Sequence, residues 1–190
     1  MKKYPEKLFN KGTNKNTIMY LGIELMRILI PPLIVLNPVG VIIIATFLDA
    51  IDGDFASQGV TSIENYEKVD KVMDTWFHFW ELIYSFFVLN NYIVFLSALF
   101  IYRLIGVSLF FKKNNRNMLM FFPNFFENTF FLLLLIQIMN LQKLSSGPIF
   151  YFLVIFVFIL KLLQEYWVHV LKKSVFEDIF KVKWRKWLPR

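Results

Sequence analysis

Apolar residues in this chain gather into long runs separated by short polar breaks. Six runs approach the roughly 30 Å of hydrocarbon in a bilayer, at about 1.5 Å of rise per helical residue. They cover roughly 17–36, 38–55, 72–90, 92–111, 121–139 and 147–166. Turn formers and charges mark the breaks: Asn37-Pro38, Asn90-Asn91, the cluster from Lys112 to Asn117, and Ser145-Ser146-Gly147-Pro148. The second run is the least regular, because Asp49, Asp52 and Asp54 fall in its last part. Pro31-Pro32 lies inside the first run and predicts a kink or thinning of that helix. The pattern therefore predicts an all-α integral membrane protein, a single membrane domain over 1–190 with six transmembrane helices in a bundle. After the last run, Phe176, Phe180, Trp184 and Trp187 share one helical face among basic residues. This predicts a basic amphipathic interfacial helix over the tail 168–190, anchored on anionic membrane lipids.

Composition supports that reading. The sequence is 57% hydrophobic with 23 Phe, and its charged share of 18% is below the roughly 25% of soluble domains. With no cysteine, disulfides, thiolate metal sites and Cys nucleophiles are excluded. The first sixteen residues are polar and basic and lack the pattern of a cleaved signal peptide, so the first span is expected to serve as the insertion signal.

A net charge of +7 raises the question of nucleic acid, but the basic residues sit at the ends of the apolar runs, which is a membrane-surface pattern and argues for no nucleic-acid partner. Lys2, Lys3, Lys7, Lys11 and Lys15 precede the first run, and Lys172, Lys173, Lys181, Lys183, Arg185, Lys186 and Arg190 follow the last. Lys68, Lys71, Lys112, Lys113 and Arg116 fall in loops on that same side of a six-span layout, whereas the opposite side holds only Lys143. The positive-inside rule then predicts a multi-pass protein of the cell membrane with both termini cytoplasmic.

Two pairs of carboxylates meet one membrane face. Asp49 and Asp52 close the second run, and Asp70 and Asp74 open the third. Spacings of three and four place each pair on one side of its helix. Four converging carboxylates repel one another near hydrocarbon and call for divalent cations, protonation or water. Hard oxygen ligands suit magnesium, manganese or calcium. Gly53 leaves room for a ligand to approach the backbone beside Asp52.

This stretch resembles the signature of the CDP-alcohol phosphotransferase family. There, Asp-x-x-Asp-Gly-x-x-Ala-Arg is followed eight or nine residues on by Gly-x-x-x-Asp-x-x-x-Asp. Asp49, Asp52, Gly53, Ala56, Asp70 and Asp74 fall on the pattern over 26 residues. Ser57 stands in place of the family's Arg, and Tyr66 in place of its second Gly. The resemblance implies a six-span fold with a cytoplasmic-side site. It implies transfer of a phosphoalcohol or phosphatidyl group from a CDP-linked donor to an alcohol acceptor with release of CMP, in membrane lipid biosynthesis. Magnesium or manganese would be held by Asp49, Asp52, Asp70 and Asp74, with Asp74 also the base that deprotonates the acceptor. Gly53, Ala56 and the fourth-helix Arg103 would serve ligand binding, Arg103 at a lipid or alcohol phosphate. The resemblance also implies a homodimer, although no seam of small residues marks one.

Other polar residues in the spans read as structural. Glu24 and Arg27, three apart, are expected to pair with each other, and His78 and Glu81 continue the stripe of Asp70 and Asp74, with His78 expected in a helix contact. Ser57 and Tyr66 keep open a second function, a catalytically silent relative that binds metal or nucleotide. A small cation-binding transporter ranks last, because transport sites favour mid-membrane positions.

Overall fold

A computed structural model describes residues 14–56, 60–115 and 117–169. These residues are helical throughout their ordered elements, with no strand among them. Ser57 and the aromatic residues expected to line the interfacial tail, Phe176, Phe180, Trp184 and Trp187, lie outside the described residues. The chain divides into two compact units, one running up to Phe77 and the other starting at His78.

The first unit begins with α1 (Asn14–Leu29), which the proline pair ends. Neither Pro31 nor Pro32 has an N–H to continue the α ladder, so the chain tightens into a 3-10 segment, Pro31–Val35. Pro32 cannot donate to the Ile28 carbonyl four residues back. That carbonyl instead accepts the indole N–H of Trp76 at 3.0 Å. Helix α2 (Pro38–Phe55) starts where the sequence predicts. Pro38 occupies its first turn, and the Asn37 side chain accepts from the Gly40 N–H at 3.0 Å. α1 packs against α2.

Helix α3 (Ile63–Val88) begins well before the expected residue 72. Its opening turns are polar: the Asn65 N–H donates to Ser62 Oγ at 3.2 Å, and Lys68 pairs with Glu64 at 2.9 Å. A criterion of apolar run length passes over such turns. The helix runs through Phe77 into the second unit.

The second unit continues with α4 (Ile93–Lys113), α5 (Asn117–Phe121), α6 (Phe125–Ile138) and α7 (Gly147–His169). The fifth expected span, 121–139, is therefore corrected. Pro123 and Asn124 interrupt it, and Asn124 caps the shorter helix by accepting from the Glu127 N–H at 3.4 Å. α6 has 14 residues, about 21 Å of helix, less than a bilayer core requires. Packing runs from α4 onto α5 and α6, and from α7 onto α5 and α6. Phe126, Phe130, Leu133 and Leu96 form the fully buried centre.

Among the described residues, three segments are long and apolar enough to cross a membrane: Lys15–Val35, Asn90–Lys113 and Gly147–Tyr166. Their outward residues include Val94, 82% exposed, and Phe152, 67% exposed. Apolar surface on this scale is not sustained in water, and it marks a membrane protein.

Candidate functional site

The last turns of α2 carry Asp49 and Asp52, and the polar opening of α3 carries Asp70 and Asp74. All four carboxylates converge on the guanidinium of Arg27 from α1. Its Nη2 lies 3.0 Å from Asp49, 3.1 Å from Asp74 and 3.4 Å from Asp70, and its Nη1 contacts the buried Asp52. The Arg27 side chain is 6% exposed, whereas that of Asp49 is 49% exposed, so the cluster is closed beneath Arg27 and open beside Asp49.

The expected pair of Arg27 with Glu24 is thus not formed. A neighbour three residues away is the default partner on an isolated helix, but four carboxylates from two other helices outweigh it. Lys71 adds a second cation, 2.9 Å from Asp70 Oδ2 and 2.5 Å from Asp74 Oδ2. Glu24 remains buried, and neither of its oxygens accepts a hydrogen bond of normal geometry.

Asp49, Asp70 and Asp74 each present an oxygen within 4.8 Å of the others, a hard-donor set of the kind that fits a divalent cation. Asp52 is not in this trio. One of its oxygens meets Arg27 and the other accepts the Tyr66 hydroxyl at 2.9 Å. Gly53 and Ala56, expected to flank a ligand, are both buried. The space beside Gly53 is filled: a Cβ built there would lie 2.9 Å from the Tyr66 phenol oxygen. Tyr66 therefore takes up the room that Gly53 leaves.

A separate polar network lies in the second unit. His78 Nδ1 is 2.8 Å from Glu81, its Nε2 is 2.7 Å from the Asn124 amide, and that amide also donates to Glu127 at 2.8 Å. His78 thus joins α3 to the cap of α6, the helix contact expected of it. Arg103, also in this unit, is buried and donates to the Phe122 carbonyl at 2.7 Å.

Sequence reasoning placed the four aspartates and missed Arg27, Lys71 and the Tyr66 hydroxyl as their partners. A guanidinium inside an apolar run is costly enough to have signalled a nearby acidic group. No protein-family model matches this sequence, and no curated protein or solved structure matches it either.

Proposed function

We propose that this protein transfers a phosphoalcohol or phosphatidyl group from a CDP-linked donor to an alcohol acceptor, releasing CMP, in a membrane. The observation that supports it is the convergence of Asp49, Asp52, Asp70 and Asp74, at the family-like spacing, into one cluster with a hard-oxygen trio. Asp49, Asp70 and Asp74 are the residues that would hold magnesium or manganese. The bound ion would supply charge neutralisation for the donor pyrophosphate and the departing CMP.

Asp74 is the base in this reading. The acceptor oxygen forms a bond to the donor phosphorus, the bond from that phosphorus to the CMP oxygen breaks, and CMP leaves with the electron pair. The acceptor's proton passes to the Asp74 carboxylate. Asp52, held by Arg27 and Tyr66, fixes the end of α2 rather than facing the reactants. In this proposal α2, α3 and the stretch 121–139, in which α6 is extended by the turn before it, join the three longer segments as crossings, which gives six spans with cytoplasmic termini.

The test is CMP release from a panel of CDP-linked donors and alcohol acceptors by the purified chain in lipid vesicles. Release that requires magnesium or manganese and is lost in Asp70→Asn supports the proposal, whereas release that survives this change rejects the site. A second reading, a catalytically silent metal binder, is favoured by the Tyr66 hydroxyl filling the space at Gly53. It predicts manganese binding with no CMP release from any pair in the panel.

A further inference from the structure

The aspartate cluster already has cations on the oxygens that a metal would need. Asp70 gives Oδ1 to Arg27 and Oδ2 to Lys71, and Asp74 gives Oδ1 to Arg27 and Oδ2 to Lys71. A divalent ion arriving at these carboxylates therefore competes with the two side chains already on them. Arg27 is the one that also reaches Asp49, the third member of the trio.

A displaced guanidinium inside an apolar helix needs another acceptor, since an unpaired one is costly there. α1 supplies one. Glu24 lies three residues before Arg27, on the same helical face and in the direction toward which helical side chains lean. It is 7% exposed, and neither oxygen accepts a hydrogen bond of normal geometry. The Tyr20 hydroxyl is close enough to interact with Glu24, as are Arg27, Asp70 and Asp74. A buried carboxylate without a proper donor carries a desolvation cost that a guanidinium would remove.

We propose that Arg27 is a built-in counter-ion competing with a divalent cation for Asp49, Asp70 and Asp74, and that Glu24 receives its guanidinium when the cation binds. The proposal rests on the reading of the trio as a cation site. Arg27 neutralises the carboxylates while no ion is bound. Its transfer to Glu24 leaves Asp49, Asp70 and Asp74 to the ion and Lys71, while Asp52 gives up Arg27 and keeps the Tyr66 hydroxyl.

The test is manganese binding to the full chain in detergent, measured by titration calorimetry and, as a second readout, by the manganese-induced shift in thermal unfolding. Arg27→Gln should tighten binding about tenfold or more, a coupling of ordinary size between linked sites. Arg27→Lys, which keeps the charge, should stay near wild type. Glu24→Gln should weaken binding about tenfold in the wild-type background. It should leave binding unchanged in the Arg27→Gln background, because no guanidinium then needs a receiver. Weaker binding in Arg27→Gln overturns competition, and an equal loss from Glu24→Gln in both backgrounds overturns the receiver role. If Arg27→Gln does not fold, wild-type affinity in Glu24→Gln overturns the proposal. Absence of manganese binding in every variant rejects the cation site itself, whereas binding indifferent to Arg27 and Glu24 rejects only this inference.

Discussion

The hydroxyl of Tyr66 occupies the space into which a side chain at Gly53 would project. A Cβ at Gly53 would sit 2.9 Å from the phenol oxygen but 3.5 Å from the ring carbon that bears it. An alanine at position 53 would thus have to move the end of the Tyr66 side chain.

Gly53→Ala should therefore push Tyr66 off Asp52, destabilising the protein by about 1 kcal/mol through the lost hydrogen bond. In a Tyr66→Phe background the same change meets only ordinary contact and should be neutral or stabilising by up to about 1 kcal/mol, since alanine is the better helix former. Thermal unfolding of the four variants in one detergent measures this cycle. Equal costs in both backgrounds would refute the relationship.

The proposed activity separates the aspartates by kinetic signature. Asp74→Asn should lower the CMP release rate at saturating manganese by about 100-fold or more, the usual scale for a lost base. Asp49→Asn should chiefly raise the manganese concentration giving half-maximal rate. Chelation with EDTA should stop release, and added manganese should restore it. A rate in Asp74→Asn that excess metal restores would make Asp74 a ligand without the role of base.

Asn124 serves two partners beyond its cap, His78 and the Glu127 carboxylate. Asn124→Ala should cost about 2–3 kcal/mol, more than the roughly 1 kcal/mol of an isolated cap. Asn124→Asp keeps the cap acceptor but loses the donor to His78 and faces Glu127 with a like charge. It should be no better than alanine in thermal unfolding, and a near-wild-type midpoint would show that the cap alone matters.

Gly106 is a point of close packing. A Cβ there would lie 2.3 Å from the Phe122 Cβ, which is too near the backbone for a side-chain rotation to relieve. Gly106→Ala should destabilise by about 1–3 kcal/mol despite its better helix propensity. A stabilised variant in the same unfolding assay would show that α5 and its following turn can shift.

The proposed six crossings are open to a clean labelling test, because the chain contains no cysteine. Single substitutions Lys68→Cys and Lys112→Cys should react with an impermeant maleimide only after cells are permeabilised, whereas Lys143→Cys should react in intact cells. Reaction of all three from one side would replace the six-span layout with one using fewer crossings.

The elements most legible in the sequence were those punctuated by strong local signals. Asn37-Pro38 starts α2 at the expected place, and Ser145-Ser146 precedes α7, which opens at Gly147-Pro148. The start of α3 was hidden because its first turns satisfy themselves with Ser62 and the Glu64–Lys68 pair instead of apolar burial. Pro123, Asn124 and Glu127 did signal the start of α6 in a capping arrangement, but the apolar residues on either side masked it in a count of run length. In the acidic site, spacing within each helix was readable from residue numbers alone. The partner of Arg27 was not, because local spacing favours Glu24, and only the meeting of α1 with α2 and α3 makes the aspartates available.

That meeting has a fastener in the main chain. Because Pro32 cannot serve the Ile28 carbonyl, Trp76 does, and this hydrogen bond joins the residue just after Arg27 to one two positions past Asp74. The break in α1 is thus also a latch that sets the sliding register of α1 on α3. Replacing Pro32 with a residue that restores the helical N–H would let α1 close on itself and release Trp76. The charges at the site would all still be present, but their alignment would be lost.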